Sequence, residues 1–582
     1  MKGYDPASLA RAAAALPGSS LTYDVGSWRE KRPVHRHRPA PCHTHCPAGE
    51  DAQAYIQKIQ EGDLEGAWRT IVAVNPLPAV TGRICPHPCE DGCNRGRFDE
   101  PLDIHGIERF LGDTAIARGW RLPLPPLAED APEVAIVGAG PAGLAAAWHL
   151  RRAGVKPVLF DQYPLAGGLL RTAIPLYRLP REALDAELER LFADGIEFRP
   201  HRKLGRDIFL NELEQSHDAV LLAVGLQKPR PWSVDGAAPG DLHYGLALLE
   251  EWIDVGAAPL EGKVVVVHGG GNTAVDVARM AIRAGAKEVH LVTTRALPGA
   301  ADAVGPEDHM QAFPREVQQA VEEGVIIHPH TTPTRLIIRG ARLKAVELAA
   351  VRPFKDEHGR TKRVAFEGTE RVIAADMVIP ATGEIVDPEG IEILPREREY
   401  LASDRFGRIE GRPGIFTAGD ASGRGGSISA AVGDGRRAAM AILLHLHRIA
   451  ELPEEETEAV PADALQLYYF DHAPRREPPA RPAEERIRDE KEIEPGLDAA
   501  DLEREVQRCF SCGNCLACDN CWNLCPDFAV LKTEEPTEDG SHYVFDYAFC
   551  KGCGLCAAEC PTAFIEMVDE PTMETLGEPA QG

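Results

Sequence analysis

No cysteine lies between Cys93 and Cys509; five are crowded between Cys42 and Cys93, and ten between Cys509 and Cys560. A secreted disulfide scaffold is small and stapled along its whole length, so this distribution excludes one. Clustered cysteines point instead to metal ligands in a reducing, cytoplasmic setting. No run approaches the ~18 apolar residues of a membrane span. The first twenty residues, MKGYDPASLARAAAALPGSS, lack the apolar stretch of a signal peptide. Positive charge is scarce, with 63 Lys and Arg against 90 Asp and Glu, a formal charge of −27. That argues against wrapping nucleic acid, whose affinity comes from neutralised phosphates. The 582 residues, 44% of them hydrophobic, suffice for about three to four domains.

The chain is organised around Val134–Leu144, VAIVGAGPAGL. Val134–Val137 reads as a buried strand, Gly138, Gly140 and Gly143 form a GxGxxG turn, and Leu144–Ala153 has helical composition. The first glycine permits a tight turn and the second lets a pyrophosphate approach the backbone. The third allows close helix–strand packing, and the helix N-terminus favours the phosphate charge. A second apolar strand, Val158–Phe160, ends in Asp161, placed to accept from a ribose hydroxyl. A second such unit opens at Lys263, with Gly269, Gly271 and Ala274 at GxGxxA positions inside HGGGNTAVDVARMAIRAG, which also carries Asn272 and Thr273. Two motifs imply two nucleotides facing one another, with hydride passing between nicotinamide and flavin. The strand Glu288–Val292 ends in Thr293-Thr294-Arg295. An acid there would select NAD and an arginine tolerates NADP; Arg295 stands alone, which leaves the choice open and leans toward NADH. The cysteine-free middle also excludes a CxxC dithiol beside the flavin.

Two runs near the C-terminus, Cys515-x2-Cys518-x2-Cys521-x3-Cys525-Pro526 and Cys550-x2-Cys553-x2-Cys556-x3-Cys560-Pro561, match the bacterial two-cluster ferredoxin pattern. The fourth cysteine of each run ligates the other cluster. One cluster therefore takes Cys515, Cys518, Cys521 and Cys560; the other takes Cys525, Cys550, Cys553 and Cys556. Cys509 and Cys512 extend the spacing upstream, as spare thiols or as alternative ligands. Near the N-terminus stand Cys42-x3-Cys46-Pro47 and Cys85-x3-Cys89-x3-Cys93, a spacing that zinc or an iron–sulfur cluster can use. Lys31–Arg38 is a basic run that reads as a solvated face, its histidines included. Glu451–Pro495 is acidic and proline-rich, a semi-extended tether or a strap over the surface, with one apolar patch, Ala464–Phe470, fit to dock on a neighbour.

PCHTHCPAGEDAQAYI, NPLPAVTGRICPHPCEDGCNRG and IHGIERFLGD resemble the N-terminal domain of the glutamate synthase small-subunit family, and the resemblance extends over residues 40–445. It implies a [4Fe–4S] cluster on Cys46, Cys85, Cys89 and Glu108. The family's second cluster uses two cysteines upstream of Cys42, where this chain has Val34 and His37; Cys42 and Cys93 are left as its remnants, with His35, His37, His43 and His45 nearby. The resemblance places Gly168 and Leu169, within AGGLLRTAIPLYRLP, beside the isoalloxazine. It sets Asp420 of GIFTAGD on the ribityl chain and Ser427 at the head of a helix facing the flavin.

The expected architecture is multidomain: a helical iron–sulfur domain (1–130), an FAD-binding domain (131–250 and 380–450) with an NAD(P)-binding domain inserted (251–379), both Rossmann-like α/β, a linker (451–505), and an α+β 2[4Fe–4S] ferredoxin (506–582). The expected cofactors are FAD, NAD(P)H and three or four [4Fe–4S] clusters. The expected function is that of an NAD(P)H:acceptor oxidoreductase in a hetero-oligomer. Its acceptor would be a ferredoxin, a 2-oxoacid oxidoreductase or a sulfite-reductase-type enzyme. A glutamate synthase small subunit and a non-catalytic electron-wiring subunit are the alternatives. The linker implies that the ferredoxin could be cut away near Ala450 without unfolding the rest.

Overall fold

The computed structural model describes residues 25–237, 242–340, 342–453 and 458–571; the N-terminal stretch read above for a signal peptide lies outside them. The strand expected at Val134–Val137 forms over Glu133–Val137, and the helix begins earlier than read, at Pro141, running to Arg152. Proline suits that first turn because its missing N–H has no partner there in any case. The strand lies centrally in a five-stranded parallel sheet ordered Ile415–Thr417, Ala219–Leu222, Glu133–Val137, Lys156–Phe160, Glu197–Arg199. A second parallel sheet, Met377–Pro380, Val264–His268, Glu288–Val292 and Ile326–His328, carries the inserted unit. Val265, Val266 and Val267 are fully buried, as a parallel strand covered on both faces must be. An antiparallel hairpin, Thr331–Arg339 with Arg342–Lys355, extends this unit.

The domain expected to be helical carries the helices Ala52–Gln60 and Leu64–Val72, each capped by an aspartate: Asp51 accepts from Ala54 N at 3.0 Å and Asp63 from Gly66 N at 2.8 Å. These helices do not stand apart from the flavoprotein unit. Trp68, Val72, Leu77 and Val80 share one core with Leu144, Trp148 and Leu150, and Trp148 Nε1 donates to Val72 O at 2.7 Å.

The linker runs as a strap, the second of the two expected forms. Arg475 pairs with Glu90 (2.8 Å) and Asp103 (2.9 Å) of the N-terminal domain, and Arg486, 2% exposed, pairs with Glu323 at 2.8 Å in the inserted domain. Removing one partner of such a buried pair costs on the order of 3–5 kcal/mol. Leu465 of the apolar patch packs with Val460, Phe510 and Ala563. The run Lys31–Arg38 keeps Lys31, Arg36 and His37 exposed, and Lys31–His35 also forms an antiparallel strand with Ile565–Asp569, Val34 opposite Glu566. His35 lies between Phe545 and Phe564, with ring centroids at 4.7 and 5.1 Å. A cut near Ala450 would strip both the strap and this strand's partner from the remaining chain, so the expectation of a cleanly severable tail does not hold.

Candidate redox centre

Each glycine of the first turn has a distinct task. Gly138 has φ +107°, and a Cβ there would overlap the carbonyl oxygen of Ala223; a Cβ at Gly143 would overlap that of Gly138. Gly140 faces open space, its nearest outside neighbour being Gly168 Cα at 3.9 Å from a built Cβ, the cradle an approaching pyrophosphate requires. Asp161 is buried and accepts from Ala139 N at 2.7 Å and Tyr163 N at 2.9 Å; burial pushes its carboxyl pKa up. Gly168 takes φ +52° at the head of the short helix Leu169–Thr172. Asp420 accepts from Gly426 N at 2.8 Å, and Ser427 caps the helix Ile428–His445 by accepting from Ala430 N at 3.2 Å.

In the inserted unit, a Cβ at Gly269 would overlap the Ala381 carbonyl oxygen and approach Ala274 Cβ within 2.9 Å, whereas Gly271 has nothing within 4 Å. Asn272 opens the helix Asn272–Arg283 and accepts from Phe313 N at 3.0 Å. Gly138, Gly140, Asp161, Gly168, Leu169, Asp420 and Ser427 line the same cleft as Gly269, Gly271, Asn272, Thr273 and Arg295. Gly143 and Ala274 stay behind it, as packing positions. Arg178 Nη1 spans the two units to Asp276 at 2.8 Å, both side chains buried. Sequence reasoning missed this pair because its residues belong to separate motifs.

A second pocket collects Cys46, Cys85, Cys89 and Glu108, with Cys42 and Glu50 on its wall. The helices Pro78–Ile84 and Ile104–Arg118 cross closely through glycine: a Cβ on Gly82 would meet the backbone of Arg109, and one on Gly112 the backbone of Ala79. That crossing sets Cys85 beside Glu108. Glu108 is 2% exposed. Its Oε2 lies 2.9 Å from His87 Nε2, Asn75 Nδ2 donates to its Oε1 at 3.1 Å, and the Thr81 hydroxyl donates to the same oxygen. Glu50 accepts from Asn75 at 2.8 Å. Burial, and then the Glu108 charge, hold the Glu50 carboxyl well above the usual range. No motif announces Glu50.

This pocket adjoins the cleft. Ile84 and Ile428 line the cleft, while their chain neighbours Cys85 and Ser429 line the cysteine pocket. In the tail, Cys515, Cys518, Cys521 and Cys560 surround one pocket, and burial, then the neighbouring Cys525, Cys550 and Cys553, push the Cys556 thiol up to about 12. None of the fifteen cysteines is in a disulfide. These donor sets, thiolates alone or thiolates with a carboxylate, fit the chemistry of an iron–sulfur cluster.

Among families of known proteins, "Pyridine nucleotide-disulphide oxidoreductase" matches residues 132–435. "Dihydropyrimidine dehydrogenase domain II, 4Fe-4S cluster" matches residues 31–120, and "4Fe-4S binding domain" matches residues 543–566. The beta subunit of NADP(+)-dependent formate dehydrogenase of Moorella thermoacetica is 34% identical over 86% of this chain and 73% of its own length. The glutamate synthase [NADPH] small chain of Azospirillum brasilense is 33% identical over 71% of this chain and 87% of its own. The NADPH-Fe(3+) oxidoreductase subunit beta of Geobacter sulfurreducens is 34% identical over 71% and 65% respectively.

Proposed function

Because this chain belongs to the pyridine nucleotide-disulphide oxidoreductase family, in a glutamate synthase small-chain-like branch that adds iron–sulfur modules at both ends, we propose that it passes electrons from NADPH, through FAD, to a one-electron partner. Its class is that of an NAD(P)H-dependent iron–sulfur flavoprotein oxidoreductase; the acceptor is the proposal. The observation that carries it is the shared cleft, in which the Gly138–Asp161 set and the Gly269–Thr273 set face the same space, next to the pocket of Cys46, Cys85 and Cys89. FAD, when bound, takes two electrons as hydride and gives them up singly. The chain's own residues hold the two nucleotides face to face. The Gly140 cradle admits a pyrophosphate, Asp161 is set for a ribose hydroxyl, and the N-terminus of Ile428–His445 opposes charge at the flavin edge. No general acid or nucleophile is required. The family's disulphide has no counterpart, because residues 132–435 contain no cysteine.

The relatives are named for NADP(+) or NADPH, which supports NADPH here and reverses the preference drawn from Arg295 alone. They are also named as subunits or as a small chain, which supports delivery to a partner subunit or a ferredoxin. No helix among the described residues is long and apolar enough to cross a membrane.

The test is anaerobic mixing of the cluster-loaded protein with either nucleotide. NADPH is expected to bleach the flavin and then the clusters, at lower KM than NADH. Flavin reduction with the clusters left oxidised would sink the relay, and reduction by neither nucleotide would sink the whole reading. Within the pocket, Glu108 is the proposed fourth ligand beside Cys46, Cys85 and Cys89. A carboxylate is a harder donor than a thiolate. Glu108→Ala should therefore lose or convert that cluster while FAD stays bound. An unchanged EPR spectrum would move the fourth ligand elsewhere, to Glu50 first.

A further inference from the structure

Two cysteines near the start of the chain and two near its end converge on a further pocket, lined by Cys42, Cys93, Cys509 and Cys512. We propose that these four thiols hold a fourth [4Fe–4S] cluster, built jointly by the N-terminal domain and the root of the tail. It takes Cys509 and Cys512 in place of the upstream cysteines that Val34 and His37 replace.

Three observations beyond convergence point to this ligand. The first is the backbone of the loop Cys509–Cys512. Ser511 has φ +49°, the left-handed region, and the equivalent residues in two tail ligand loops share it: Ala517 at +52° between Cys515 and Cys518, and Gly552 at +74° between Cys550 and Cys553. For a residue with a side chain this costs about 1–2 kcal/mol, and it persists where the surroundings enforce it. The second is the set of donors aimed at sulfur. Ser511 N donates to Cys509 Sγ at 3.4 Å, as His87 N does to Cys85 Sγ and Ala529 N to Cys525 Sγ, both at 3.3 Å. Asn94 Nδ2 adds a donor to Cys512 Sγ at 3.5 Å. Hydrogen bonds to cluster sulfurs tune such sites. The third is that none of the four thiols is taken up in a disulfide.

Position gives the site a role, which rests on the electron path proposed above, although its existence does not. Cys42 lines both this pocket and that of Cys46, Cys85 and Cys89, while Cys512 stands three residues before Cys515. The four thiols thus sit between the flavin-side cluster and the tail. A cluster held there would take one electron from the flavin-side cluster, reoxidising it, and would give one to a tail cluster, reducing it; no bond or proton would change hands.

The test uses the full chain purified without oxygen, measuring iron and acid-labile sulfide per FAD, with EPR after dithionite reduction. Wild type is expected to carry about sixteen irons. Cys509→Ala/Cys512→Ala is expected to fall to about twelve with FAD retained, and Cys42→Ala, at the other end of the chain, should lose the same EPR signal. About twelve irons in wild type, stoichiometric zinc, or a double variant that keeps every iron would overturn the site. If the double variant fails to fold, the wild-type count decides.

Discussion

Gly138→Ala is expected to yield protein without FAD, and with it no NAD(P)H-dependent reduction of dye or protein acceptor. The methyl group would have to share space with the carbonyl oxygen of Ala223, which is backbone just past the neighbouring parallel strand Ala219–Leu222 and cannot swing aside. The φ of +107° adds strain that alanine cannot relieve without rebuilding the turn; such strain alone is worth ~1–3 kcal/mol. Gly271→Ala makes the contrast. No protein atom lies within 4 Å of its added carbon, and its φ is −100°, so the fold and FAD should survive while the methyl group crowds the second pyrophosphate and raises the KM for NAD(P)H. Flavin content by absorbance decides both: FAD at wild-type level in Gly138→Ala would mean that the first turn does not cradle it.

Cys46→Ala should separate chemistry at the nucleotides from transfer beyond them. Its sulfur belongs to the pocket beside the cleft, whereas the residues facing FAD and nicotinamide lie on other elements. Dye reduction by NAD(P)H is expected to stay within about twofold of wild type, while reduction of a ferredoxin-type acceptor falls by ~100-fold, the scale on which disturbed metal sites lose activity. Equal loss of both would show the cysteine to be structural support for the flavin. Loss of neither would send electrons out by another route.

The parts of this protein that were legible in its sequence are those in which the chemistry sits within a few residues. The Gly138 turn and the tail runs from Cys515 and Cys550 carry their geometry in local spacing; the structure sets the turn on the cleft and gathers Cys515, Cys518, Cys521 and Cys560 around a pocket. What stayed hidden depends on distance along the chain. Cys42 and Cys509 are separated by 467 positions (509 − 42), and the strap, the paired terminal strands and the helix Ala499–Val506, packed against Ala52–Gln60, bring them together. Glu50 and the Arg178–Asp276 pair obey no periodicity. His35 belongs to a basic run, and its seat between Phe545 and Phe564 follows from pairing with a strand 530 residues away (565 − 35). The linker's composition correctly indicated a segment without its own core. Composition could not reveal that Arg475 and Arg486 find carboxylates on two different domains.

The pairing of Lys31–His35 with Ile565–Asp569 also sets an order of events in the cell. Domains emerge and fold from the N-terminus at about 5–20 residues per second. The strand at Lys31 therefore waits on the order of half a minute to two minutes for its partner to be made. Throughout that interval it is an unpaired edge, the kind of surface on which strands from other chains assemble. Its Lys31, Arg32 and Arg36 discourage such pairing by charge. Cys42 and Cys93 wait in the same way for Cys509 and Cys512, so any metal centre shared by the four can be loaded only once the root of the tail has been made. The flavoprotein sheets can mature before that, and Ile565–Asp569 pairs with Lys31–His35 only afterwards.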